Sequence, residues 1–165
     1  MPLPRPLPTG PGQESVWDYP RPPRLERCAR HVQVFFGDRC IADSRRAVRV
    51  LETSHPPVYY FPWDDVEAGV LQVLRASSFC EFKGRARYFD VEAGNRRAER
   101  AAWSYPAPTP AAESIRYHVA FYPRLMDRCL VDGEQAMPQP GAFYAGWITS
   151  NIVGPFKGVA GSQGW

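Results

Sequence analysis

Hydrophobic and polar positions in this chain alternate with a period of two much more often than they follow a helical period. His31–Phe36 runs into Gly37-Asp38 and resumes at Arg39–Asp43, which predicts a hairpin closed by a tight turn. Ala47–Glu52 alternates and stops at Thr53-Ser54-His55-Pro56-Pro57, and Val58–Phe61 is a β-branched and aromatic strand closed by Pro62. Asp64–Glu67 reads as one helical turn with acidic residues at its start. Val70–Arg75 and Ser78–Lys83 are two further strands, and Arg85–Val91 and Arg97–Trp103 flank Gly94-Asn95 as a second hairpin. After the proline loop Tyr105–Pro110, strands follow at Ile115–Tyr122 and Cys129–Val131, and Asp132-Gly133 turns the chain into Glu134–Met137. No stretch keeps a helical period for three turns, so the expected fold class is mainly β with one or two short helical turns.

The pattern differs at the two ends. Residues 1–30 hold eight prolines, which exclude a helix or a central strand there. Residues 1–13 are expected to form a flexible tail. Residues 14–165 form a single domain: an extended arm over 14–30, a β body over 31–140 and a Gly- and aromatic-rich tail draped over it at 141–165. A length of 165 residues suits one domain with a core of its own.

Charge and cysteine content narrow the function classes. The net charge is +3, and the arginine clusters (Arg45-Arg46, Arg85 with Arg87, Arg96-Arg97) are interleaved with Asp43, Glu81, Asp90 and Glu99. This is a solvated mixed-charge surface, and nucleic acid is not an expected partner. No apolar run approaches the roughly 18–20 residues of a membrane helix, so no membrane is expected. The four cysteines lie far apart with no C-x-x-C, and the N-terminus lacks the apolar run of a secretory signal. They read as reduced thiols of a cytoplasmic protein. The three histidines show no H-x-H or H-E-x-x-H spacing, and no phosphate-cradling glycine loop is present. No metal and no cofactor is read from the sequence.

Candidate chemistry concentrates in a few blocks. Glu81 and Lys83 stand two apart on an expected strand, so both project from one face. There they either tune each other inside a cavity or form a solvent-facing pair. His55, held out of the helical region by Pro56, follows Glu52, Thr53 and Ser54. That loop end is either a catalytic base beside a carboxylate or a capped turn. Glu52 and Glu81 are candidates for a carboxylate couple. Cys80 is either a nucleophile activated by Lys83 or His55, or a small buried apolar residue. Tyr59, Tyr88, Trp103, Tyr105 and Tyr122 carry polar tips on large rings and suit a pocket wall as well as a core.

Leu51-Glu-Thr-Ser-His-Pro-Pro-Val-Tyr-Tyr-Phe-Pro, Phe79-Cys-Glu-Phe-Lys-Gly-Arg-Ala-Arg-Tyr, Ala102-Trp-Ser-Tyr-Pro, Val119-Ala-Phe-Tyr-Pro and the tail from Phe143 to Gly158 carry a family resemblance. Together with Glu14-Ser-Val-Trp-Asp-Tyr-Pro, these blocks resemble the bacterial family called Domain of Unknown Function 427, over about residues 14 to 165. The resemblance implies a compact antiparallel structure like the β-tent folds of methionine-R-sulfoxide reductases and yippee-type domains. Those relatives hold structural zinc through C-x-x-C pairs, which this chain lacks, so the metal is not carried over. The resemblance also implies a ligand cleft between the sheets, lined by Glu52, Ser54, Tyr59, Glu81, Lys83, Trp103, Tyr105 and Tyr122. The expected function is binding of a small molecule in an aromatic-lined polar cleft, with cofactor-independent acid–base chemistry by Glu52, Glu81, Lys83 and His55. The alternative is a non-catalytic module that forms a homodimer or meets a partner through its arm and tail.

Overall fold

Two antiparallel sheets and two short ribbons hold the strands of the computed structural model, which describes residues 3–165. In chain order the strands are β1 (Glu14–Ser15), β2 (Arg24–Cys28), β3 (Val32–Phe36), β4 (Arg39–Ser44), β5 (Ala47–Leu51), β6 (Val58–Pro62), β7 (Leu71–Cys80) and β8 (Gly84–Ala93). They continue with β9 (Arg96–Ser104), β10 (His118–Phe121), β11 (Arg128–Val131), β12 (Glu134–Gln135), β13 (Met137–Pro138), β14 (Trp147–Ile148) and β15 (Ile152–Val153). The seven-stranded sheet has the order β2-β5-β6-β10-β9-β8-β7, and the four-stranded sheet the order β12-β11-β3-β4. Helical structure is confined to isolated 3₁₀ turns among the described residues. None of their helices is long and apolar enough to cross a membrane.

Period-two alternation sorts the side chains of the large sheet between its faces. On one face, Tyr59, Phe61, Phe89, Val91, Val119 and Phe121 pack against Val32, Val34, Phe36 and Ile41 of the smaller sheet. On the other, Val48, Val50, Tyr60, Ala86, Tyr88, Trp103 and Ala120 lie under Ala112 and Ile115 and under Ala145 of the C-terminal tail. The β3–β4 turn works because Gly37 and Asp38 both take φ of 61°, which the right-handed twist of a two-residue hairpin requires. A Cβ on Gly37 would stand 2.2 Å from the Ala93 carbonyl oxygen.

The structure corrects several sequence expectations. The strands expected at 70–75 and 78–83 are the single strand β7, whose register jumps between Val73 and Ser77 opposite Phe89 and Arg87. Leu74, Arg75 and Ala76 make a bulge there instead of a turn. Glu81, Phe82 and Lys83 then form the turn between β7 and β8. Ile115 closes a 3₁₀ segment, and β10 starts only at His118, after Tyr117 at φ 62°. The proline-rich arm supplies β2 to the edge of the large sheet, where a strand tolerates proline neighbours. The expected flexible tail begins with residues 1 and 2, which lie outside the described residues. Farther along it, the Leu7 amide donates to the Gly154 carbonyl at 3.0 Å, and the Gln13 side chain donates to the Ser150 carbonyl at 3.1 Å.

Candidate functional site

Pairing across the large sheet sets Tyr88 opposite Trp103, Trp103 opposite Ala120, Ala120 opposite Tyr60 and Tyr60 opposite Val48. This row crosses five strands on the face turned away from the smaller sheet. Ala120 is the small member, and over it Trp103 Nε1 donates to the Tyr60 hydroxyl at 3.1 Å. Trp103 packs on Tyr122 at 4.6 Å between ring centroids, and Tyr105 sits 6.4 Å from Tyr60. A cavity of about 240 Å³ opens beside the row, lined by Val58, Tyr60, Tyr88, Trp103, Tyr105 and Tyr122 from the sheet side. Glu52, His55 and Lys83 close it from two turns, and Gln139, Phe143, Tyr144 and Ala145 close it from the tail.

The turn carrying His55 is held from both ends of the chain. The Ser54 amide donates to the Val16 carbonyl at 3.1 Å, the Thr53 amide to Pro20 at 3.3 Å, and the Lys157 amide to the Ser54 carbonyl at 2.9 Å. These bonds fix Ser54 at φ 72°, a conformation that a non-glycine residue keeps only when its surroundings impose it. Arm and tail therefore position the histidine.

His55 Nδ1 donates to the Thr53 carbonyl at 2.9 Å, which places the lone pair of the neutral ring on Nε2. Burial pushes the His55 pKa below its ordinary value, and nearby Lys157 and Arg21 push the same way. The Thr53 carbonyl and the Glu52 carboxylate oppose them without prevailing. Glu52 Oε2 lies 3.9 Å from His55 Nδ1 and 3.9 Å from Arg21 Nε. The Tyr144 ring meets the imidazole edge-on at 5.5 Å.

Lys83 lines the same cleft, its Nζ 5.9 Å from the centre of the Tyr105 ring. Its turn is anchored to the proline loop: the Thr109 amide donates to the Lys83 carbonyl at 3.1 Å, and the Thr109 hydroxyl donates to the Phe82 carbonyl. Burial raises the Tyr60, Tyr105 and Tyr122 pKa values, so all three phenols stay protonated donors at neutral pH. A neutral imidazole with a free Nε2, a lysine cation and protonated phenols around one cavity can accept a proton and stabilise the anion that forms.

Seven of the residues singled out in the sequence meet here: Glu52, His55, Lys83, Tyr88, Trp103, Tyr105 and Tyr122. The others do not line the cavity. Glu81 is exposed at the β7–β8 turn, so it shares no strand face with Lys83 and makes no couple with Glu52. Tyr59 points into the core between the sheets and packs on Trp147 at 4.7 Å. Strand parity gives its expected place to Tyr60. Ser54 is fully buried behind the turn. Cys80 is half-buried and packs against the Tyr60 and Trp103 cluster without lining the cleft. The cleft itself lies on the outer face of the large sheet, because close-packed side chains fill the space between the sheets.

Gln139, Phe143 and Tyr144 escaped the sequence reading, although the tail was expected to drape over the body. The signal was Gly146, where a Cβ would stand 2.6 Å from both Gln139 Oε1 and Pro56 Cγ, so tail and His55 loop must meet backbone to side chain. Two larger cavities, of about 790 and 530 Å³, run along the β7–β8 edge. The first is lined by Arg75, Arg85 and Arg87 with mostly exposed neighbours and has no group that exchanges protons near neutral pH. The second adds His118, whose Nδ1 donates to the Arg116 carbonyl at 2.7 Å. The second also holds Arg87 and Tyr105, but it has one buried phenol and no carboxylate, whereas the smaller cleft joins its base to Glu52, Lys83 and several tyrosines. The zinc of the resembling folds has no fit here: among the described residues, no three His, Cys, Asp or Glu side chains group to hold a metal ion.

Residues 24–132 match a family model described as Domain of unknown function (DUF427). No curated protein matches the chain.

Proposed function

The chain belongs to the DUF427 family, and we propose that it binds a small organic molecule in the aromatic cleft and performs acid–base chemistry on it without a cofactor. His55 Nε2 is the base, Lys83 holds the developing negative charge, and Tyr60 and Tyr105 supply protonated hydroxyls. Glu52 steadies the imidazolium once it forms. One observation carries the reading: five separate chain segments converge on a single cleft around a histidine of fixed tautomer and lowered pKa. The chemistry this suits is proton abstraction from a small carbon acid, or hydrolysis by a water that His55 activates.

The test is a panel of small aromatic acids, esters and amides, followed by protein-observed ¹H–¹⁵N spectra and by turnover. Binders should shift the Trp103 indole resonance. His55→Gln should keep binding and lose turnover by about a hundredfold or more. A panel that leaves Trp103 unmoved, or turnover that survives in His55→Gln, defeats the proposal.

A second reading, a homodimeric interaction module, draws on the β7 edge strand, where Val73 and Phe79 are 62% and 66% exposed. Arm and tail pair with each other along β1 and β15, so this reading places the contact on β7 and not on the arm and tail. Sedimentation of the wild type and of Phe79→Lys tests it: a concentration-dependent dimer that the substitution abolishes supports the module, and a monomer at all concentrations removes it.

A further inference from the structure

The 240 Å³ cleft does not end at its tyrosine wall. Tyr88, Tyr122 and Phe143 also line an adjoining cavity of about 480 Å³, whose other walls include Arg100 and Arg124. Each arginine lies over one of the shared rings: Arg100 Cζ is 4.1 Å from the centre of Tyr88, and Arg124 Cζ is 5.4 Å from that of Tyr122. Stacking fixes a guanidinium plane while leaving its edge N–H groups free to donate. Arg124 spends one of them on the Ala142 carbonyl at 2.9 Å. Among the described residues neither arginine forms an ion pair, although Glu99 lines the same cavity.

The backbone beneath Arg100 gives a second, independent pointer. The β8–β9 register jumps between Phe89, opposite Ala102, and Val91, opposite Ala98, so β9 carries extra residues at Glu99–Ala101. Arg100 sits in this bulge at φ 49°. The buried Asp90 carboxylate pins it there, accepting the Arg100 amide at 2.8 Å and the Arg97 guanidinium. Bulges of this kind re-aim a side chain, and a left-handed arginine persists only because its surroundings impose it. Here the result is a guanidinium laid over a tyrosine at the mouth of the cleft.

We propose that Arg100 and Arg124 form an anion subsite, so that the ligand of this cleft has a planar apolar body and a carboxylate or phosphate group. The inference rests on the cleft being the ligand site. The planar body lies along Trp103, Tyr88 and Tyr122, and the anion reaches the two guanidinium edges.

The test measures the affinities of benzoate, phenyl phosphate and neutral benzyl alcohol by ¹H–¹⁵N titration at low ionic strength. The proteins are wild type, Arg100→Gln, Arg124→Gln and Arg128→Gln. Arg128 is the control, an exposed arginine stacked on Phe35 at 4.3 Å and away from the cavity. At least one anion should bind wild type roughly tenfold more tightly than benzyl alcohol. Arg100→Gln and Arg124→Gln should each weaken that anion by about fivefold or more, leaving benzyl alcohol and the Arg128→Gln protein unchanged. Whichever anion binds better identifies the group as carboxylate or phosphate. Equal affinities for charged and neutral probes, or equal losses in the Arg128→Gln protein, overturn the anion subsite while the cleft reading stands. If no probe shifts cleft resonances, both fall together.

Discussion

Tyr60→Phe tests whether the aromatic row is held by its polar tips or by ring packing alone. Tyr60 is 2% exposed, and its hydroxyl accepts the Trp103 Nε1–H at 3.1 Å across the small Ala120. Removing the oxygen forfeits that bond, worth about 1 kcal/mol net, and leaves the Trp103 N–H buried without an acceptor, which costs about 1–3 kcal/mol. Against this stands a small gain, because the phenol's own desolvation is no longer needed. The expected loss is about 2 kcal/mol, or roughly 4–8 °C in melting temperature for a chain of this size. The assay is reversible thermal or urea unfolding of wild type, Tyr60→Phe, Trp103→Phe and the double variant. Tyr117→Phe, at a site 75% exposed, is the control and should change stability by less than about 0.5 kcal/mol. The double-variant cycle should return a coupling of about 1 kcal/mol, because once Trp103 is gone the hydroxyl has lost its donor. A Tyr60→Phe protein that melts with the Tyr117→Phe control, or a coupling near zero, refutes the reasoning.

Other expectations follow from the same geometry. His55 and His118 both have pKa values lowered chiefly by burial, so the stability they lend as neutral rings is present above pH about 6.5 and is lost as pH falls through their folded-state values. Melting temperature should fall as the pH is lowered below about 6.5, and His55→Gln and His118→Gln should each flatten part of that fall; superimposable curves for all three proteins speak against it. Gly158→Ala should cost about 3 kcal/mol or more by chemical denaturation, because at φ 120° the new Cβ would stand 1.8 Å from the Pro140 carbonyl oxygen. Glu14→Gln should cost about 1–2 kcal/mol, the carboxylate being one-third exposed while its partner Arg49 is 13% exposed and bonded to it at 2.6 Å. Urea midpoints of Glu14→Gln and of the Glu14→Gln/Arg49→Gln pair check whether that loss belongs to the ion pair.

The sheets were legible because their strands alternate and their hairpins carry Gly37-Asp38 in the smaller sheet and Gly94-Asn95 in the large one. The two faces of the large sheet look alike and were not told apart. Both are apolar at the centre, so Val58–Phe61 offers no polar side by which to tell Tyr59 from Tyr60. The error over Glu81 and Lys83 has a related cause. Two-residue spacing places side chains on one face only inside a strand, and the bulge at Leu74–Ala76 lengthens β7 until it ends at Cys80. A bulge is set by how the strand meets its neighbour, which no local window contains.

His55 shows the complementary case. Its residue type and the Pro56 beside it are visible in the sequence, but its tautomer and burial depend on Val16, Pro20 and Lys157, which lie from 35 to about 100 residues away. The arm and tail that resemble linkers in composition thus fix the base in place. A truncation to residues 24–132 should therefore keep the strands of the seven-stranded sheet but release His55, returning its pKa toward about 6.5 in a ¹H–¹⁵N titration. A truncated protein whose His55 titrates as in the full chain would place the cause of the shift inside the sheet instead.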